Sequence, residues 1–233
     1  MTQRIIDINS PNFLTEERLA GARSIEEVFA NGNPLALEIG CGIGDFILQL
    51  AQEKPLVNFL AIDIYNKGCY KTCKKIDQAG LDNVRVMRIE ARYLMARYLQ
   101  PESLSAIYIN CPDPWPKKRH RDRRLVNRGF LQTALHYLKS GADFYFSSDF
   151  TDYALQVADL HPTLPGFCNC LASPWETVPA CYPKSKYMRR FLEKNQPIYF
   201  IHCRKVEFHN SPLPAIPPVY PGFRTAWSTV GHE

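Results

Sequence analysis

The chain has 233 residues, 45% hydrophobic and 12% aromatic, which is enough to bury a core and too apolar for a disordered segment. It holds no run of 18 apolar residues, and its opening MTQRIIDINS lacks the apolar stretch of a secretory signal, so a membrane span is excluded and the cytoplasm is the expected compartment. The net charge is only +5, but positions 117 to 128 hold seven Lys and Arg against Asp122, a local net of +6 that marks a footprint for a polyanion.

From Pro34 onward, short apolar runs alternate with longer amphipathic patterns. Residues 35–40, 57–64 and 84–90 predict strands, and 45–53, 67–79 and 91–99 predict the helices that follow them. SAIYIN at 105–110 predicts a fourth strand, and Phe130, Leu131, Ala134, Leu135 and Leu138 supply the apolar stripe of the next helix. DFYFSSD at 143–149 predicts a fifth strand and 153–160 a helix. Segment 161–179 gives no clear signal, and 185–195 with 197–208 predict a final helix and strand. SPLPAIPPVYPGF, with five prolines, reads as an extended tail. A single domain over 1–209 with a Pro-rich tail over 210–233 is therefore expected, and β/α alternation of this kind predicts an α/β fold with a parallel sheet covered by helices on both faces. Ligands of such sheets gather at the carboxyl ends of the strands, where function is to be sought.

Eight cysteines include no pair of CxxC motifs and sit largely in apolar runs such as those around Cys41, Cys111 and Cys203, which reads as reduced thiols. The six histidines show no ligand spacing, so no metal is expected.

The first strand runs into EIGCGIGDF, with Gly40, Gly42 and Gly44 at every second position. Glycines let the backbone turn sharply against a ligand. A dinucleotide fingerprint requires a third glycine at position 45, where Asp45 stands. The alternating glycines instead resemble the turn of Rossmann-like S-adenosylmethionine-dependent methyltransferases, although an ordinary strand-to-helix turn also uses them. Three successive strands carry acids at or near their ends: Glu38, Asp63 and Glu90. Each alone suits a helix cap. Together on one edge they suit a ligand that presents cations and hydroxyl or amino donors. The fourth strand leads into NCPDPWP, where Pro112, Pro114 and Pro116 restrict Asp113 and Trp115.

PDPWPKKRHRDRRLVN, together with LEIGCGIGDF, NVRVM, SSDF and SKYMRRFLEKNQPIYF in that order, resembles the bacterial TrmB-like tRNA (guanine-N7-)-methyltransferase family over residues 34–208. The resemblance implies a class I S-adenosylmethionine-dependent methyltransferase fold with a mostly parallel seven-stranded sheet. It implies methyl transfer to N7 of a guanine in tRNA, in the variable loop, by a monomer or homodimer that binds no membrane. It places Glu38, Gly40, Gly42, Gly44, Asp63, Glu90 and Asp113 at the cofactor, with Asp113 also the catalytic residue. Lys117, Asp149 and Ser185, Lys186, Tyr187 and Met188 fall on substrate-binding positions, and Arg119, His120, Arg121, Asp122, Arg123 and Arg124 on the segment that touches RNA. Met188 stands where the family has Glu, which leaves Asp149 as the expected acceptor for the guanine. Cys111 replaces a Phe, and the short start implies that an N-terminal RNA-contacting arm is missing. A methyltransferase of small molecules and a catalytically silent tRNA-binding protein are the alternatives.

Overall fold

A computed structural model describes residues 5–22 and 24–206; the proline-rich tail expected at 210–233 lies outside the described residues. The central strands form because their sequences are apolar at nearly every position, as burial on both faces of a sheet requires. In β2 (Leu35–Ile39) all five residues are buried, and β3 (Asn58–Asp63) and β5 (Leu104–Asn110) are nearly as dry. β4 (Val84–Arg88) completes the inner parallel set, and the two-residue β1 (Phe13–Leu14) pairs with it at the margin.

The helices follow in alternation: α1 (Glu16–Ala20), α2 (Asp45–Glu53), α3 (Asn66–Ala79), α4 (Ala91–Tyr98), α5 (Arg128–Tyr137), α6 (Thr151–Leu160) and α7 (Lys186–Leu192). β6 (Leu138–Ser148), β7 (Phe167–Asn169), β8 (Glu176–Thr177) and β9 (Tyr199–Lys205) complete a nine-stranded sheet of order β1-β4-β3-β2-β5-β6-β9-β7, with β8 on β9. β1 to β6 run parallel, and β9 is antiparallel to its three neighbours. The seven-stranded expectation is thus exceeded by two strands of two residues each, which are too short to show a period in the sequence. A second correction concerns Leu138. It was expected on the stripe of α5, but β6 begins there and Leu138 pairs with Leu104.

The strand order sets the site. The chain builds β2, β3 and β4 outward in one direction, then returns to the other side of β2 for β5. Successive connections therefore diverge at β2 and β5, and a crevice opens outside their carboxyl ends.

Alternation along the strands divides the core in two. Leu37, Ile62, Ile107 and Phe144 face a layer made by α4, α5 and α6, while Ala36, Phe59, Tyr108 and Phe46 of α2 belong to a layer made by α2, α3 and α7. Cys41, Cys69, Cys73 and Cys203 are buried as reduced thiols, but Cys168, Cys170 and Cys181 are exposed. No helix among the described residues is long and apolar enough to cross a membrane.

Tyr153 of α6 is fully buried, and its Oη accepts a 2.7 Å hydrogen bond from the backbone N–H of Val126. Tyr153→Phe leaves that buried N–H unpaired, so the variant is expected to lose about 1 to 3 kcal/mol of unfolding free energy in urea titrations.

Candidate active site

β2 leaves the sheet through Gly40, Gly42 and Gly44, whose φ angles of 82°, 55° and 82° lie in the left-handed region. Gly44 packs so closely on α3 that a Cβ would sit 2.8 Å from the Thr72 methyl, whereas Gly40 and Gly42 face open space. Asp63, at the end of β3, fixes the turn. Its Oδ2 accepts from Gly42 N and its Oδ1 from Tyr65 N, both at 2.8 Å. Burial pushes the Asp63 carboxyl up, backbone N–H groups of Tyr65, Gly42 and Ile64 hold it down, and the charge of Asp113 adds to the rise.

Glu38 lies one layer deeper. It is 2% exposed, its Oε2 has no hydrogen-bond partner, and burial followed by the charge of Asp63 raises its pKa to about 8. Glu90 caps α4 by accepting from Tyr93 N at 3.0 Å and pairs with Arg92 Nε at 2.7 Å. Glu90 therefore serves as a cap and lines the cleft at once.

β5 delivers the proline loop. Asn110 ends the strand with Oδ1 accepting from Ser147 Oγ and Tyr182 Oη, at 2.9 and 3.1 Å, while its buried Nδ2 has no partner. Two residues to either side of Asp113, Cys111 and Trp115 adopt left-handed φ angles of 46° and 44°. Non-glycine residues hold that conformation only when their surroundings enforce it. Here the enforcement comes from Ser147 O, which accepts from Cys111 N, and from Arg124, whose Nε donates to Pro114 O at 2.8 Å. Gly40, Asp63, Glu90, Asn110, Asp113 and Trp115 line a cleft of about 270 Å³.

Arg124 corrects an expectation. Its side chain is fully buried, pairs with Asp152 at 2.7 Å, donates to Gln156 Oε1, and lies over the Tyr153 ring at 4.8 Å. A residue so enclosed cannot touch RNA; it holds the loop to α6. Arg123 stacks over Trp115 at 5.0 Å and lines the cleft, and His120 meets the edge of the same indole. Lys117, Arg119, Arg121 and Asp122 are exposed on or beside a short 3-10 helix, Lys118–Arg123, with Arg121 paired to Asp152.

On the other side of the loop, Tyr187 Oη donates to Asp149 Oδ2 at 3.1 Å. Burial, then the charge of Asp149, pushes the Tyr187 phenol up to about 12, with Cys111 and Asp113 adding to the rise. Tyr187 and Asp149 therefore pair beside the proline loop, within electrostatic reach of Asp113. Ser185 is spent as the cap of α7, accepting from Met188 N at 3.1 Å, and Lys186 is exposed. Met188 is 0% exposed and packs in the core with Ile198 and Phe200. Its expected contact with substrate is thereby corrected: the thioether fills the layer beneath α7 where a carboxylate could not be solvated. Asn110, Trp115 and the inward role of Arg123 were missed as site features, because nothing in the sequence distinguishes a loop aromatic or a strand-end amide that turns inward.

Residues 32–201 match the family model described as "Putative methyltransferase". A tRNA (guanine-N(7)-)-methyltransferase of Syntrophotalea carbinolica is 59% identical over 98% of both chains. The chain belongs to the tRNA (guanine-N7-)-methyltransferase family. A member from Geobacter metallireducens is 50% identical over 87% of this chain and 97% of its own. Among solved structures, an antibiotic-related methyltransferase superposes with a TM-score of 0.57 at 18% identity, covering 88% of this chain and 97% of that one. The fold is the Rossmann-like class I methyltransferase fold, and Gly40, Asp63, Glu90 and the PDPWP loop of this family member line its cleft.

The raised pKa of Glu38 has a consequence for stability. The folded state favours the neutral carboxyl, so the stabilisation is complete below pH 4.5 and is lost as pH rises through about 8. Within that window the loss is about 1.4 kcal/mol per pH unit. Urea titrations of the cofactor-free protein between pH 5 and 9 are expected to show a falling midpoint, with a shallower fall in Glu38→Gln. Parallel profiles would show that Glu38 does not titrate in this window.

Proposed function

We propose that this chain transfers the methyl group of S-adenosylmethionine to N7 of a guanine in tRNA, in the variable loop. The observation that carries the reading is the 59% identity, over 98% of both chains, to a protein named for that reaction. The cleft fits the cofactor on grounds of its own. Gly40 and Gly42 leave open space where a side chain would stand, and Glu38 Oε2 and Asn110 Nδ2 are buried polar atoms with no partner. A carboxylate acceptor and an amide donor suit the ammonium and carboxylate of an amino-acid moiety. Asp63 would take the ribose hydroxyls, and Glu90 would take donors farther along the cleft. When bound, the cofactor supplies an electrophilic methyl group on a sulfonium.

Guanine N7 carries a lone pair and no proton, so Asp113 is not required as a base. As the N7–carbon bond formed and the sulfur–carbon bond broke, the purine would gain positive charge. Asp113, held by a loop that Arg124 secures, would stabilise that charge through space. Positioning is the larger contribution, because aligned reactants recover on the order of 7 to 11 kcal/mol. Asp149 and Tyr187 would bind the base beside Asp113, with Lys117 at the entrance. Arg119 and Arg121, exposed on the 3-10 helix, would neutralise phosphates, with His120, Asp122 and Arg123 shaping the surface between them and the cleft. The cytoplasm, where tRNA is modified, is the compartment this reading implies.

Mass spectrometry of nucleosides from tRNA incubated with the protein and isotope-labelled S-adenosylmethionine is expected to show labelled 7-methylguanosine. Asp113→Ala should lower its rate of formation by about 100-fold or more while circular dichroism stays native. Labelling of a small acceptor and not of tRNA, or a variant within a few-fold of the parent, would overturn the reading.

A further inference from the structure

The antiparallel side of the sheet carries a second group of chemically capable side chains. Asp143 lies five positions before the end of β6, about 16 Å from the cleft edge at roughly 3.3 Å per residue. The β6–β9 register pairs Asp143 with Arg204 and Tyr145 with His202, and the β7–β9 register pairs Cys168 with Arg204. Cys170 N donates to His202 O at 2.9 Å, which continues that ladder by one step. Since side chains alternate along each strand, Asp143, His202, Cys168 and Cys170 share one face of three neighbouring strands. The ligand-type atoms of Asp143, Cys170 and His202 all lie within 4.8 Å of one another.

We propose that Asp143, Cys170 and His202 form a binding site for a soft divalent cation of the zinc type, with Cys168 two residues from Cys170 as the candidate fourth ligand. Thiolate, imidazole and carboxylate are the ligands zinc takes, and its tetrahedral bonds of about 2.0 to 2.3 Å place ligand atoms roughly 3 to 4 Å apart. His202 Nε2 and Asp143 Oδ1 are already 2.9 Å apart, so only small rotations are needed. The imidazole is oriented by stacking on Tyr145 at 4.3 Å and 20°. Strand pairing fixes the three backbones, so little ordering remains for a ligand to impose.

Arg204 is the competitor. Its guanidinium bonds Asp143 at two points, Nε to Oδ1 at 2.9 Å and Nη2 to Oδ2 at 3.3 Å, but its side chain is half exposed, where solvent and salt weaken the pair. On binding, the cation takes the carboxylate, Arg204 turns to water, the Cys170 thiol gives its proton to solvent, and the imidazole proton moves to Nδ1. The gain falls on β7, a three-residue strand that pairs, among the described residues, with β9 alone. A cation would staple the residue after it to β6 and β9 together and stabilise the folded state by mass action.

The test is a titration of the metal-free full-length protein with Co2+, followed by displacement with Zn2+. A thiolate-bound tetrahedral ion gives sulfur-to-metal charge transfer in the near ultraviolet and strong visible bands. Saturation at about one equivalent is expected, with affinity lowered at least about tenfold in Cys170→Ser, His202→Ala and Asp143→Asn. Arg204→Gln should tighten binding, and methyl transfer should be unchanged in all four. Weak octahedral bands alone, no saturation, or an undiminished charge-transfer band in Cys170→Ser would overturn the assignment.

Discussion

The site depends on one buried cation. Arg124 has no exposed side-chain surface, yet it carries a full charge, and such a group is tolerated only when its donors are satisfied. Asp152, Gln156 and the Pro114 carbonyl satisfy them, and the faces of Tyr153 and Phe150 cover the plane. Each partner sits on α6 or beside it except Pro114, which is the residue after Asp113. The guanidinium thus translates the packing of a core helix into the position of one carboxylate. It also offsets the cost of the loop's shape, since left-handed conformations at Cys111 and Trp115 cost on the order of 1 to 3 kcal/mol each. The basic block is therefore divided in purpose: Arg124 builds the loop, Arg123 roofs it through Trp115, and Arg119 and Arg121 face outward.

Neighbouring acids at the crevice are kept from destabilising one another in two ways. Burial shifts both carboxyls toward neutrality, Glu38 to about 8, and at Asp63 the backbone N–H donors of Tyr65, Gly42 and Ile64 restrain the rise. The result is a deep carboxyl with an unsatisfied oxygen and a second carboxyl, bonded by two backbone N–H groups, on adjacent strands. A cationic ligand reaching Glu38 would favour its ionised form, so cofactor binding and proton release are coupled under the proposed function.

Much of this was readable in the sequence. Residues 35–39, 58–63 and 104–110 are apolar runs bounded by turn residues, and Gly40, Asp63, Glu90 and Asp113 fall on the cleft because strand ends converge at the switch point, whereas Gly44 packs on α3. Three features were not readable, each for a physical reason. Arg124 and its exposed neighbours are alike in type, and only the short 3-10 turn decides which one faces the core. Met188 follows Tyr187, which bonds Asp149, but helix α7 turns the Met188 side chain inward among Ile198 and Phe200. Asp143, Cys170 and His202 come from two strands and the residue after a third, far apart in sequence, so no local spacing announces them.

The central claim, that Arg124 positions the reacting loop and does not bind RNA, is tested most directly by steady-state methylation of tRNA with Arg124→Met, at a temperature where circular dichroism shows the variant folded. The account predicts a kcat lowered by about 100-fold, as a displacement near 1 Å can produce, with the KM for tRNA changed only a few-fold. A raised KM with kcat preserved would contradict it, and would return Arg124 to the surface that meets the nucleic acid.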